Sequence, residues 1–212
     1  MKQTNHQARS QNGEALQNSV REASSSLYNS NPQQPSSAFG VNEVQFPMSS
    51  RQALQLFQNQ GLTDYEKIEI QNYQEVYFLG LDANKIKASS LLGHNFGFDD
   101  ERGDYQVVLK DHLAFRFEVL DKLGSGSFGQ ALKCFDHKTQ MMVAIKVIRN
   151  KKRFQHQAGV ELRLLRFLKQ KDKNDENNIV RIHDYSIFRK HLLLSFELLS
   201  MNLYEFIKTN NF

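Results

Sequence analysis

The chain has 212 residues, of which 40% are hydrophobic, enough for one domain with appended segments or for two small domains. Its formal net charge of +4 permits contact with anionic partners without requiring it, and a single cysteine, Cys134, excludes an internal disulfide framework. The seven histidines show no metal-ligand spacing, so no metal site is predicted. The longest apolar run, residues 192–199, is too short to span a bilayer, and the first 30 residues lack a hydrophobic signal core. These features predict a soluble, intracellular protein in which Cys134 is a small buried side chain.

The N-terminal segment, residues 1–41, is predicted to be disordered. Its first 40 residues contain 19 Ser, Asn or Gln and almost no apolar periodicity. Such a segment cannot bury enough apolar surface to offset the entropy lost on ordering.

Residues 42–92 are predicted to form a small helical region. Two capping-box patterns, Ser49 with Gln52 and Thr63 with Glu66, each precede apolar residues at helical spacing. Gly61 suits the C-terminal stop of the first helix. The resulting helical hairpin is too small to hold a core alone, so we expect it to dock on its neighbour.

The next segment, residues 93–114, is rich in Gly and Asp and leaves two interpretations open. One is a solvated acidic loop. The other is an ordered strap across the following domain, anchored by Phe96, Phe98 and Tyr105.

Residues 115–161 contain the pattern around which the chain is organised. Apolar and polar residues alternate over 115–119, as in a half-buried strand, and further strands are predicted over 130–135 and 141–149. Three glycines lie where the first strand must turn: Gly124, Gly126 and Gly129. Glycines in a strand–turn–strand allow backbone N–H groups to close over phosphate oxygens, which side chains would obstruct.

A lone charge follows that glycine pattern. Lys146 ends the sequence V-A-I-K inside an apolar strand, and Glu161 lies on the next predicted helix, where it can pair with Lys146. This combination favours the glycine-rich loop of a kinase over a dinucleotide-binding fold, where a helix directly follows the glycines. A glycine hairpin without a ligand is the remaining alternative.

The C-terminal part completes a sheet. Residues 158–169 predict a helix with a broad apolar face, composed of Val160, Leu162, Leu164, Leu165 and Leu168. Residues 180–188 and 191–199 predict a hairpin turned at Arg189 and Lys190, giving an α+β fold with a five-stranded antiparallel sheet and one helix. The basic run 149–153 is interpreted as the solvated start of that helix, with a phosphate-contacting or nuclear-import role as the alternative.

Three motifs resemble the dual-specificity tyrosine-regulated kinase family: L-G-S-G-S-F-G-Q (123–130), R-N-K-K-R-F-Q-H-Q-A (149–158) and F-E-L-L-S-M-N-L-Y-E (196–205). The resemblance covers residues 42–212. It implies a protein-kinase N-lobe over 115–199, preceded by an acidic homology box at 93–114 and by a helical accessory region similar to that of the cytosolic subclass. Residues 200–212 would then begin the first C-lobe helix.

The resemblance also implies an ATP site. Lys146 would contact the α- and β-phosphates and Glu161 would orient it, so these two are the expected catalytic residues. The expected nucleotide-binding residues are Leu123, Gly124, Ser125, Gly126, Ser127, Phe128, Gly129, Ala131, Ala144, Lys146, Phe196, Glu197, Leu199 and Asn202. Phe196 would be the gatekeeper, and the Glu197 carbonyl and Leu199 amide would bond the adenine edge. Ala131 departs from the family, in which Val is usual, and weakens adenine contact by at most about 1–2 kcal/mol.

The sequence has no His-Arg-Asp with a following Asn, no Asp-Phe-Gly and no Ala-Pro-Glu. His183-Asp184 precedes the hinge, and Asn95-Phe96-Gly97 precedes the glycines, so neither fits the required order. We therefore expect the C-lobe, with the Mg²⁺ ligands and the catalytic base, to be missing. A chain cut short in this way would be inactive by itself.

Two functional hypotheses follow. The first is the N-terminal portion of an active kinase with protein substrates, ATP and Mg²⁺. It would be monomeric when complete and located in the cytoplasm, with the nucleus left open as a second location. The second is a non-catalytic kinase lobe, or pseudokinase fragment, that binds a partner. Neither hypothesis implies a specific nucleic acid or a membrane.

Overall fold

The computed structural model describes residues 45–209, so the segment predicted to be disordered, residues 1–41, lies outside the described residues. The first elements form a small unit: strand β1 (Met48–Ser49), helix α1 (Ser50–Phe57), helix α2 (Asp64–Glu69) with a 3₁₀ turn at Ile70–Asn72, and strand β2 (Glu75–Val76). The two strands pair antiparallel. None of the described helices is long and apolar enough to cross a membrane.

Both predicted capping boxes are confirmed. The Ser49 hydroxyl accepts from the Gln52 N–H at 3.3 Å, and the Gln52 side chain accepts from the Ser49 N–H at 3.0 Å. Thr63 and Glu66 make the same reciprocal pair at 3.2 and 2.9 Å. The predicted stop at Gly61 is wrong, because α1 ends at Phe57. Gly61 instead adopts φ 80° in the following turn, where an added Cβ would lie 3.0 Å from the Leu81 carbonyl oxygen.

The main sheet has six antiparallel strands in the order β3-β4-β5-β6-β8-β7. Their bounds are His112–Leu113 (β3), Phe117–Gly126 (β4), Gly129–Asp136 (β5), Met141–Ile148 (β6), Ile182–Phe188 (β7) and His191–Glu197 (β8). The α+β class and the five predicted strands are confirmed. The sequence missed β3, because two residues are too short to show a periodicity.

Helix α3 (Lys152–Lys171) packs on one face of this sheet, and helix α4 (Leu203–Thr209) follows the last strand. Phe154 and Ala158 are buried against β6 and β8, and Leu162 and Leu165 pack beside them. The predicted apolar face of α3 is therefore only partly a core face. Val160 and Leu164 of the predicted face remain exposed, and so does Phe167 on the same helix.

The opposite face of the sheet is covered by residues 93–105, which we call the strap. Phe98 and Tyr105 are buried in the core of that face, and Phe96 packs against it. The Asp99 carboxylate lies 2.8 Å from His191 Nε2 and accepts from the Asn150 amide at 2.8 Å. The interpretation as an ordered strap is thus confirmed over that as a solvated loop.

The residues of the basic run, 149–153, differ in burial because only part of the run contacts the strap. Lys151, Lys152 and Arg153 are exposed, as a solvated helix start predicts. Arg149 is buried, and its guanidinium bonds both oxygens of Asp104 in the strap at 2.8 and 2.7 Å. The interpretation of the whole run as solvated is therefore wrong for Arg149.

Buried ionisable groups join the small unit to the sheet. Glu66 lies 2.8 Å from Lys85 Nζ and 2.9 Å from His112 Nε2. Because the Phe115 N–H donates to Nδ1 of His112, Nε2 carries the proton that bonds Glu66, and the ring is neutral. Burial lowers the pKa of His112. Burial alone would raise the pKa of Glu66, but its bonds to His112 and Lys85 hold it well below the usual range.

Cys134 lies in β5 and is completely buried, as predicted. Burial raises the pKa of its thiol to about 12. The thiol is therefore protonated at neutral pH and has no role as a nucleophile.

The β4–β5 hairpin separates two kinds of glycine. Gly129 has φ 144°, and a Cβ there would lie 2.0 Å from the Val147 carbonyl oxygen on β6. At Gly124 and Gly126 an added Cβ meets no atom within 4 Å. The fold thus requires glycine at 129, but it does not require glycine at 124 or 126.

We expect Gly129→Ala to lower the free energy of unfolding by about 3 kcal/mol or more, because it adds a backbone clash to a strained φ. Gly124→Ala is the matched control and should change it by less than about 1 kcal/mol. Urea denaturation of both variants tests this. Equal stabilities would contradict the distinction between the two glycines.

Stability should also fall below neutral pH through His112. The pKa of its ring is lowered in the folded protein, so the unfolded chain binds the extra proton first as the pH drops through the ordinary value of 6.5. We expect His112 to contribute a loss of about 1 kcal/mol in unfolding free energy between pH 7.5 and 5.5.

Denaturation at the two pH values measures this loss. His112→Gln should make the pH dependence shallower by about that amount, whereas His156→Gln, at an exposed position on α3, should leave it unchanged. An unchanged slope in the His112 variant would refute the assignment.

Candidate functional site

One cavity of about 780 Å³ lies between the β4–β5 hairpin, the inner face of β6, helix α3 and the segment after β8. All fifteen residues that the sequence assigned to a site line it: Leu123, Gly124, Ser125, Gly126, Ser127, Phe128, Gly129, Ala131, Ala144, Lys146, Glu161, Phe196, Glu197, Leu199 and Asn202. The structure thus brings together four segments that are far apart in the sequence.

The roof of the cavity is the glycine loop, residues 124–129. Gly126 pairs with Gly129, so Ser127 and Phe128 form the two-residue turn of the hairpin. Phe128 packs edge-on against Phe154 at the start of α3, with ring centroids 5.6 Å apart. Because no side chain projects from Gly124 or Gly126, the backbone of the loop stays open to a ligand.

Lys146 reaches the cavity because β6 alternates. Val143, Ile145 and Val147 are buried on the strap side of the sheet, which places Ala144 and Lys146 on the other side. Lys146 Nζ donates to both Glu161 oxygens, at 2.6 and 2.8 Å. The two side chains are 31% and 39% exposed, so the pair is open to solvent from the cavity. The ammonium is thus held in place while part of it stays available to an anion.

The far wall is the end of β8 and the start of α4. Phe196 pairs with Ala144 on β6, which sets its ring beside the strand that carries Lys146. The Leu199 N–H donates to no residue within 45–209. Asn202 caps α4, because its side chain accepts from the Glu205 N–H at 2.9 Å. This wall therefore offers the unpaired Leu199 N–H as a backbone donor next to an apolar surface.

The sequence missed six residues that line the cavity: Gln130, Leu165, Val180, Leu198, Ser200 and Glu205. Leu165 follows Glu161 by one helical turn, so the same helical periodicity that placed Glu161 could have found it. Val180 lies outside any strand and carries no such signal.

The carboxylates that line the cavity are already bonded. Glu161 holds Lys146, Glu197 accepts from the Arg181 N–H at 2.7 Å, and Glu205 accepts from the Asn202 N–H at 3.1 Å. No pair of free carboxylates therefore faces the cavity within the described part of the chain.

Glu66, Asp111 and His112 are close enough together to ligate a metal, but they lie outside the cavity. Lys85 Nζ lies 2.8 Å from Glu66 Oε1 and 3.3 Å from Asp111 Oδ1, where it already supplies a cation. These three side chains therefore serve the buried ionic cluster.

The two sequence motifs rejected as catalytic have structural roles. Asp184 in β7 pairs with Arg116, which also binds Asp136. Burial by itself would raise the pKa of Asp184, but the hydrogen bond from Arg116 holds it below its usual range. Asn95 lies in a left-handed turn, where its amide donates to Asp99 and to the Arg189 carbonyl.

Comparison with known proteins agrees with this geometry. The protein kinase domain model matches residues 117–212. Human dual specificity tyrosine-phosphorylation-regulated kinase 4 is 50% identical over 165 residues, which are 78% of this chain and 32% of that kinase. Dual specificity tyrosine-phosphorylation-regulated kinase 2 of Drosophila melanogaster is 47% identical over 169 residues, which are 78% of this chain and 23% of that kinase. The DYRK-family kinase pom1 of Schizosaccharomyces pombe is 52% identical over 161 residues, 75% of this chain and 15% of that kinase.

The chain thus spans about a third or less of the length of these relatives. These alignments of 161 to 169 residues are longer than the stretch from the glycine loop to residue 212, so they extend into the strap and the helical segment before it. The chain belongs to the dual-specificity tyrosine-phosphorylation-regulated kinase family.

Proposed function

We propose that this chain is the ATP-binding portion of a dual-specificity protein kinase, which phosphorylates Ser and Thr of protein substrates and autophosphorylates on tyrosine. The observation that carries the proposal is the pair of Lys146 and Glu161, joined at 2.6 and 2.8 Å under the glycine loop. A glycine hairpin without a ligand does not require a cation fixed at that position. The names of the relatives support the reaction class.

The cavity fits ATP in size and chemistry. Its volume of about 780 Å³ lies within the usual range for small-molecule sites. Leu123, Ala131 and Ala144 offer an apolar slot for the adenine, and the Leu199 N–H can donate to its edge. The open backbone of the glycine loop and the Lys146 ammonium suit a chain of phosphates.

Phosphoryl transfer needs more than the described residues supply. It depends on magnesium, which neutralises charge between the phosphates, and on a residue that positions the nucleophile. The three carboxylates that line the cavity already have hydrogen-bond partners within the chain, so the metal ligands and the catalytic base would come from a C-lobe. We therefore propose that this chain binds ATP but does not by itself transfer phosphate.

Exposed apolar side chains lie on the two helices that contribute to the cavity lining. They are Val160, Leu164 and Phe167 on α3, and Leu203 and Tyr204 on α4. Exposed apolar groups of this number favour a surface covered by another folded body. We propose that this body is the C-lobe of the kinase.

The same surface supports a second candidate, a non-catalytic lobe that binds a partner kinase or a chaperone. The two candidates differ in how the chain behaves alone. If a C-lobe covers this surface in the kinase, the 212-residue chain by itself should self-associate at tens of micromolar, whereas a dispersed monomer in light scattering favours the second candidate.

We expect Lys146→Ala to weaken ATP binding by the 212-residue chain at least tenfold, because the phosphates lose a charge-assisted contact. The pair is more than a third exposed on the Glu161 side, so its loss should lower the unfolding free energy by less than about 1 kcal/mol. Titration with a fluorescent ATP analogue and urea denaturation measure the two effects. In a longer chain with the C-lobe, the same change should abolish phosphotransfer.

Lys133→Ala is the matched control. Lys133 lies on the neighbouring strand β5 and does not line the cavity. Its substitution removes the same positive charge as that of Lys146. It should leave ATP affinity within twofold of the wild type. Equal ATP affinity of the Lys146 and Lys133 variants would refute the proposed site.

A further inference from the structure

The strap and the glycine loop are connected through Arg149. Arg149 Nε and Nη2 donate to the two oxygens of Asp104, at 2.8 and 2.7 Å. Both side chains are largely buried, at 8% and 13% exposure. A bidentate pair of this kind fixes the plane of the guanidinium as well as its position.

The fixed guanidinium makes a further contact with the loop. Arg149 Nη2 donates to the Gly126 carbonyl at 3.3 Å, and the Arg149 backbone N–H donates to the Phe128 carbonyl at 2.9 Å. Arg149 thus contacts both peptide units of the turn that present these carbonyls, one through its backbone and one through the side chain that Asp104 holds. The loop backbone is otherwise held by its pairing with β5, and an added Cβ at Gly124 or Gly126 meets nothing within 4 Å, so packing does not fix the backbone at these two glycines.

The direction of the Gly126 carbonyl determines the direction of an N–H group. In a trans peptide, the C=O of one residue and the N–H of the next point to opposite sides. Arg149 and Asp104 line a groove on the outer side of the loop, and Ser127 lines the cavity but not that groove. A Gly126 carbonyl held toward Arg149 therefore aims the Ser127 N–H at the cavity.

A second contact ties the end of the loop to the strap. The buried Gln130 side chain donates to the Tyr105 carbonyl at 2.7 Å, directly after the last glycine. The Asn150 N–H donates to the Gly103 carbonyl at 2.8 Å, which holds the residue after Arg149 against the strap. The strap thus contacts the loop directly at Gln130, and it reaches Gly126 through Arg149.

We propose that Asp104 and Arg149 are positioning residues for nucleotide binding: Asp104 orients Arg149, and Arg149 turns the Gly126–Ser127 peptide so that the Ser127 N–H faces the phosphates. This inference rests on the proposed ATP site. Arg149 does not line the cavity, so it acts through the loop and not by contact with the nucleotide. The strap, which has no contact with the cavity of its own, would in this way set phosphate affinity.

The test compares ATP with adenosine, which lacks phosphates, on the full 212-residue chain. Asp104→Asn keeps the shape of the side chain and removes its charge. Arg149→Lys keeps the positive charge but loses the bidentate geometry. We expect each variant to bind ATP about tenfold more weakly, the effect of one charge-assisted hydrogen bond, and to bind adenosine as the wild type does.

Two matched controls separate position from charge. Glu101→Gln removes an exposed strap carboxylate, and Arg163→Lys alters an exposed arginine on α3. Both should leave the two affinities unchanged. Amide hydrogen exchange provides a readout without nucleotide: exchange at Ser127 should accelerate in the Asp104 and Arg149 variants and stay constant in the controls.

The possible outcomes distinguish the positioning role of Asp104 and Arg149 from the proposed ATP site. Wild-type ATP affinity in both variants would overturn the positioning role. An equal loss of ATP and adenosine binding would also overturn it, since that pattern indicates a general weakening of the fold. Failure of the wild-type chain to bind ATP would overturn the proposed function, and the inference with it.

Discussion

The structure depends on one buried guanidinium, that of Arg189 in the turn between β7 and β8. Its nitrogens bond Glu69 at 2.9 Å and Glu66 at 3.3 Å, and donate to the Tyr105 hydroxyl at 3.0 Å. Its Cζ atom lies 4.1 Å from the centroid of the Phe98 ring. One side chain thus contacts helix α2, the strap and the hairpin that carries it. A buried charge that loses its partners costs several kcal/mol, so each of these three segments stabilises the other two.

This constraint explains why an acidic segment forms part of a core. The strap has few apolar residues, but its carboxylates meet specific cations and donors from the sheet: Asp99 faces His191 and Asn150, and Asp104 faces Arg149. Burial of the sheet on the strap side leaves its other side for helix α3 and the cavity. The separation of the two sides therefore follows from charge pairing as much as from apolar burial.

The sequence predicts those parts of the fold that rest on local chemistry. Four features depend only on neighbours within a few residues. They are the alternation in β4 and β6, the two capping boxes, the turn at Arg189 and Lys190, and the glycine pattern. It fails where the partner is distant. Arg149 appears as one of several surface cations, because nothing near it in sequence shows that Asp104, 45 residues earlier, would bury it. Val160 and Leu164 fit a core helix by periodicity, and no local pattern shows that the sheet leaves them exposed.

The sequence predicted much of the cavity lining, because these residues form a local pattern that the fold alone does not require. The half-exposed pair of Lys146 and Glu161 contributes little to folding, and the fold has no use for glycine at 124 or 126. Gly129 differs, since β6 leaves no room for a side chain there. A motif that looks uniform in sequence therefore contains one glycine fixed by packing and two that keep the backbone open. This division suits the proposed phosphate-binding loop, because Gly129 anchors the end of the loop on the sheet while Gly124 and Gly126 leave its backbone open to a ligand.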